Sequence, residues 1–229
     1  MSFYTNRLLL EQNMQNGHLG ECQIADCDIT GLEVNQGSWA EVEMRDTRAN
    51  NIVFLHTELK KCMFFRSDFL RMKLSFSTIR AVTLDGLTLI RSYWNKSTAE
   101  ELSLRNTCLQ RAEFQKMRVV SSRFTDFEAI ESHMENCLFA HSRFVLTYGS
   151  GMNGYSGALL RNCIFYNCRF EGFPLRGATL ENCVFVQCYG EIGDDMECRN
   201  VAGLARWADG RSVQMKRQSE ASALIARFT

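Results

Sequence analysis

An apolar side chain returns every five residues from Leu19 to Phe144, and this one period excludes most folds. The series begins Leu19, Ile24, Ile29, Val34, Trp39, Met44, Ala49, Phe54 and runs unbroken for 26 steps. A composition of 45% hydrophobic residues would give such a run by chance roughly once in 10⁹. It fails at Gly149 and resumes one residue out of phase: Leu160, Phe165, Phe170, Leu175, Leu180, Phe185. A helix repeats at 3.6 and a strand at 2, so neither carries this period continuously.

Call each apolar position i. The residue at i−2 is Gly, Ala, Ser, Thr or Cys at 17 of the first 26 sites and 5 of the last 6. Eight of the ten cysteines sit there: Cys22, Cys27, Cys62, Cys137, Cys163, Cys168, Cys183 and Cys188. Position i−1 is mostly polar, as in Asp28, Glu43, Asp68 and Arg123. Three alternating residues make a short strand with two side chains inward and one outward. The remaining two must turn the chain.

The pattern resembles the pentapeptide-repeat family, with CDITG (27–31), SDFLR (67–71) and CRFEG (168–172) among the clear matches. The resemblance spans residues 17–189 and implies an all-β fold, a right-handed quadrilateral β-helix with four pentapeptides per 20-residue coil. Thirty-two repeats would build eight coils, about 38 Å long at the spacing of paired strands. Departures are few Asp or Asn at i−1 and nine bulky i−2 residues; Leu32, Ile52 and Met72, in vertical register, should swell a corner.

A solenoid needs covers at its ends. Residues 1–16 are the expected N-terminal cap. Residues 190–229 are expected to form a C-terminal helical cap or dimerisation segment, because Ala221, Leu224, Ile225 and Phe228 make a helical stripe that Ser212 could start. The glycine-rich stretch 146–158, with Tyr148, Met152, Asn153 and Tyr155, reads as a loop leaving the coil, of the kind that often carries function.

Local chemistry is sparse. Gly149, Gly151 and Gly154 spell G-x-G-x-x-G, but the following residues return to coil instead of opening a helix, so no dinucleotide site is expected. GYSGA (154–158) lacks the final glycine of a nucleophile elbow. Cys163/Cys183 and Cys168/Cys188 should stack on successive coils as core filler, neither zinc-binding nor disulfide-bonded. His18, His56, His133 and His141 fall at outward positions with no catalytic arrangement around them. The expectation is no enzyme, no cofactor and no metal.

Charge is banded. Residues 1–59 carry −6, residues 60–123 carry +8 and residues 124–229 carry −2, summing to zero. Arg71, Arg91 and Arg111, 20 apart, should form a ladder on one face, with Lys96 and Lys116 on the next. Val53, Leu55, Phe76 and Tyr93 should point outward beside those lysines as an apolar patch. Together they suggest a non-catalytic bacterial scaffold that binds a protein partner through its middle coils.

A known subgroup of the family mimics DNA and protects DNA gyrase or topoisomerase IV from quinolones; the +8 middle argues against it. A secretion-system effector or accessory is the other alternative. Direct nucleic-acid binding is disfavoured because no aromatic stacking platform accompanies the arginines. The apolar run Leu8–Leu10 is shorter than a signal peptide requires, and no stretch reaches membrane-span length. A cytoplasmic location with reduced thiols is expected, with signal-independent export left open.

Overall fold

The computed structural model describes residues 2–14, 16–191, 193 and 196–207 of the 229-residue chain. It is a parallel solenoid. Three-residue strands pair with strands one coil away, as in Lys73↔Tyr93, Leu74↔Trp94 and Ser75↔Asn95. The 20-residue step repeats on four sides. Side 1 holds the rungs of Trp39, Leu59 and Ile79, and side 2 those of Met44, Phe64 and Leu84. Side 3 is held by single bridges such as Arg48↔Asp68, and side 4 is a nine-stranded sheet from Glu33–Asn35 to Glu197–Arg199.

The i positions fill the interior: Ile24, Trp39, Phe54, Phe69 and Phe144 are all fully buried. The preference at i−2 has a hydrogen-bonding cause. The Ser67 hydroxyl donates to the Phe65 carbonyl at 2.8 Å and accepts from the Thr47 N–H at 3.1 Å, so it ties two coils together inside the core. Cys62 uses its thiol similarly, against the Trp39 carbonyl at 3.1 Å. Leu32, Ile52 and Met72 are all buried within this scheme. The void beside Met72 is only about 10 Å³ and wholly apolar, so it offers a water no polar partner.

The corner residue i+2 adopts a left-handed backbone from Glu21 to His141, including at non-glycines such as Asp46 (φ 48°), Asn51 (φ 57°) and Asn136 (φ 54°). Asn and Asp tolerate this conformation because their short polar chains bond locally. Corner N–H groups also donate to the next coil, as Arg66 N–H does to the Asp85 carbonyl at 3.0 Å. Asn136, Asn162, Asn182 and Asn200 form a hydrogen-bonded ladder at one corner, with contacts of 2.7–3.3 Å.

The ends differ from the expectation. Ser2–Tyr4 is a strand of side 2, paired with Cys22–Ile24, and helix α1 (Arg7–Asn13) follows it, capped by Asn6. Its Leu10 is fully buried at the first coil. At the far end, Glu197–Arg199 and Ala202–Trp207 are strands, so the solenoid runs past residue 189 and the start of the 190–229 segment is not helical. The period hid this because the last step is 18 residues (Thr179↔Glu197), pairing Cys198 with Leu180 and Gly203 with Phe185. Ser212 and the stripe Ala221, Leu224, Ile225 and Phe228 lie outside the described residues.

The loop is also shorter than expected. His133 pairs with Leu159, a step of 26, so six residues are inserted. Leu146 still donates its corner hydrogen bond to the Glu171 carbonyl, and Gly154 bridges Glu128. The extra residues are therefore 147–152. Tyr155 is no loop residue: it takes the i position of side 3, fully buried against Phe127 at 4.9 Å.

Candidate partner-binding face

The corner between sides 3 and 4 carries Asn51, Arg71, Arg91 and Arg111 in successive coils, each at i+2 with φ near 57°. The backbone of this corner is fixed: the N–H groups of Arg71, Arg91 and Arg111 donate to Ile90, Gln110 and Ile130 carbonyls, each at 2.9 Å. Their side chains are exposed. Arg111 is neutralised by Glu131 one coil on, at 2.6 Å, so the expected three-rung ladder is not uniform. Arg71 and Arg91 have no carboxylate within ion-pair distance among the described residues. Elsewhere in the basic band three cations find acids: Lys61 bonds Glu41 at 2.9 Å, Arg66 bonds Asp46 at 2.7 Å and Arg80 lies 3.4 Å from Glu100.

Beside the arginines runs a groove of about 380 Å³, lined by Asn50, Asn51, Leu70, Arg71, Ile90, Arg91, Gln110 and Arg111. Leu70 and Ile90 occupy i+1 and are half-buried, so they present an apolar strip along the basic row. Sequence reasoning missed both by treating i+1 as turn. Their signal was the 20-residue column Asn50, Leu70, Ile90, Gln110 next to the arginine column.

Across side 4 the second corner carries His56, Phe76, Lys96 and Lys116. Phe76 is 46% exposed, with the His56 ring stacked on one side at 5.1 Å and Lys96 Nζ 4.9 Å from its centroid on the other. Val53 and Tyr93 do not form a continuous patch, because Lys73 stands between them in the same row and Ser75 follows Leu55. The Tyr93 hydroxyl donates to Gln115 Oε1 at 3.1 Å. In the loop, Tyr148 is fully exposed, Met152 is half-buried and Asn153 Nδ2 donates to Glu128 at 3.2 Å.

No group of three His, Cys, Asp or Glu is placed to hold a metal among the described residues. Burial pushes the thiols of Cys22 and Cys62 up to about 11, and Cys163 and Cys168 higher still. All ten cysteines are free. Gly149 and Gly151 sit in the exposed loop with no helix after them. No helix of the described residues is long and apolar enough to cross a membrane.

Four five-residue repeats close every regular turn, each with its inward i residue, its i−2 group beneath it and its left-handed corner. The chain has the pentapeptide-repeat fold. No family model matches this repeat sequence, and no curated protein matches it. Solved structures with a similar β-helix include HetL, a pentapeptide repeat protein involved in heterocyst differentiation regulation from the cyanobacterium Nostoc sp. Strain PCC 7120. It is 14% identical, with 90% of this chain and 98% of that one covered and a TM-score of 0.48. QnrB1, a plasmid-mediated fluoroquinolone resistance protein, is 13% identical over 99% and 92% of the chains, with a TM-score of 0.49. The A-module of the Azotobacter vinelandii mannuronan C-5 epimerase AlgE4 is 7% identical over 86% and 73%, with a TM-score of 0.43. Likeness at this level concerns the path of the chain; function is argued from the surface of this pentapeptide-repeat solenoid.

Proposed function

We propose that the chain is a non-catalytic binding rod that engages an acidic, partly apolar protein partner along the corner of Arg71 and Arg91. The observation that carries this reading is the pair of exposed guanidinium groups without a carboxylate partner among the described residues, beside the groove of Leu70 and Ile90. Guanidinium forks suit bidentate carboxylate recognition, and an adjoining apolar strip supplies burial that charge alone does not. Stacked like charges repel when the face is bare, so an acidic partner relieves a cost the free rod carries. The hydrogen-bonded backbone of the corner leaves only the side chains to be ordered on binding.

The test compares the wild-type chain with the double variant Arg71→Glu, Arg91→Glu in cross-linked affinity capture from bacterial lysate. A partner cross-linked within residues 66–115 and lost in the variant, at unchanged melting temperature, is the expected result. A partner retained by the variant overturns the assignment of this corner.

A further inference from the structure

Sides 2 and 4 lie opposite each other, and each carries a frame of charge at its corners. In the lower coils side 2 is framed by Glu21 and Glu41 at its corner with side 1, and by Asp26 and Asp46 at its corner with side 3, all exposed. In the middle coils side 4 is framed by Arg91 and Arg111 on one corner and by Lys96 and Lys116 on the other, also exposed. Both faces run five residues from corner to corner and step by 20 along each column, so the two frames share width and rise. Among the described residues Glu21 and Asp26 have no cation within ion-pair distance, and Arg91, Lys96 and Lys116 have no carboxylate.

A second rod displaced by translation alone lays its side 2 on side 4 of the first. Sides 1 and 3 adjoin both faces, so the arginine corner meets the aspartate corner and the lysine corner meets the glutamate corner. Raised by about three and a half coils, roughly 17 Å, the second rod sets Asp26 against Arg91 and Glu21 against Lys96. On the next rung Asp46 meets Arg111 and Glu41 meets Lys116, with Arg45 opposite Glu113 between the corners. The Arg111–Glu131 pair of one rod then lies beside the Asp46–Arg66 pair of the other, charges alternating around a ring of four.

This register is selective. Among the described residues from Lys73 to Glu181, no like charges come directly opposite each other. Higher up Arg199 faces Arg123, but Glu181 and Glu197 already hold it at 3.0 and 2.6 Å. One coil less sets Arg111 against Arg66 and Lys116 against Lys61; one coil more sets Glu131 against Asp46 and Glu135 against Glu43. Like charges at that distance repel.

We propose that the rods associate laterally with copies of themselves, side 4 of one docking on side 2 of the next in this staggered parallel register. The two faces differ, so the contact does not close and further copies can add. Exposed ion pairs contribute little singly and are screened, so the assembly is weak and strongest at low ionic strength. The contact shares Arg91 with the corner proposed for a foreign partner, but it leaves the Leu70–Ile90 groove on side 3 open and does not rest on that reading.

The test is sedimentation velocity of the full chain with two charge-swapped variants, Glu21→Lys with Glu41→Lys, and Lys96→Glu with Lys116→Glu. At low salt the wild type should sediment as species larger than a monomer and return to monomer as salt is raised. Each variant alone should stay monomeric, because its facing corners carry like charge. An equimolar mixture of the two should associate again, because each swapped face matches the other variant. A wild type monomeric at low salt, variants that associate as it does, or a mixture that stays monomeric overturns the proposal. Carbodiimide coupling of mixed ¹⁴N- and ¹⁵N-labelled wild type should give inter-isotope amides joining Glu21 to Lys96 and Glu41 to Lys116. Inter-isotope links confined to other pairs overturn the register. No variant alters Arg71, Arg91, Leu70 or Ile90, so self-association and capture of a foreign partner are read apart.

Discussion

Phe165 and Phe185 lie face to face one coil apart, with ring centroids 4.7 Å apart and planes within 7°. Phe139 stacks beneath them at 5.1 Å, and Phe124, Phe144 and Phe170 form a second column on side 2 at 4.9 and 5.2 Å. Truncating the middle of a column opens a cavity with no side chain able to move in. Phe165→Ala should destabilise the chain by about 3–5 kcal/mol. Exposed Phe76→Ala should stay within about 1 kcal/mol. Urea denaturation of both variants checks the contrast.

Tyr155 brings a hydroxyl into the core, where it is buried without a hydrogen-bond partner among the described residues. Burial drives its ionisation well above the ordinary tyrosine range, so the group stays neutral. Its ring keeps Phe127 in an edge-on contact that does not need the oxygen. Tyr155→Phe should therefore stabilise the protein by about 1 kcal/mol, read as a higher urea midpoint at unchanged slope.

Glu171 accepts hydrogen bonds from Nε and Nη2 of Arg143, at 3.0 and 2.8 Å, and this pairing holds its carboxyl below the usual range. A depressed folded-state value means the contribution is present above the unfolded-state value and is lost as pH falls through the folded one. Glu171→Gln should lower stability at neutral pH. The two proteins should converge when the medium is acidic enough to protonate Glu171 in the wild type. Paired denaturation curves at the two pH values check the sign.

Thiol accessibility follows the coil. Cys198 is exposed, Cys108 is half-buried with its thiol 3.8 Å from Glu128, and the other eight are buried. A thiol reagent should label Cys198 first and Cys108 more slowly. The remaining eight should react only on unfolding, as counted by intact-mass spectrometry.

Removing residues 147–152 should restore the 20-residue step by joining Leu146 to Asn153. The deleted residues contribute few contacts, chiefly the Thr147 bonds to Asp126 at 2.6 and 3.0 Å. The shortened chain should melt within a few degrees of the full one, because a surface loop of this size costs little. A loss of more than 10 °C, on the order of several kcal/mol, would show the loop to be structural.

The inward residues were legible because one side chain in five has no choice: the core admits only apolar groups at i, while i−2 takes small groups at most sites and bulky apolar ones at the rest. Where the step departs from 20, the reading failed for a stated reason. The extra residues 147–152 made Tyr155 look like loop, and the 18-residue last turn disguised Glu197–Trp207. The Ser2–Tyr4 strand lies one 20-residue step before Cys22–Ile24, with Tyr4 in phase with the series, but the count began at Leu19. The arginine column was visible by spacing, but not that Glu131 would take Arg111 and leave Arg71 and Arg91. Pairing depends on which acid stands one coil away, so it appears only once columns are compared across coils.

The six extra residues leave the coil at Leu146 and return at Asn153, while the rungs on either side keep their pairing. Nothing in that geometry requires the excursion to be any multiple of five. The seam is thus a splice point, where foreign sequence of arbitrary length can be grafted while the columns above and below stay aligned. A rod assembled this way can change what it displays at one height without re-encoding its interior.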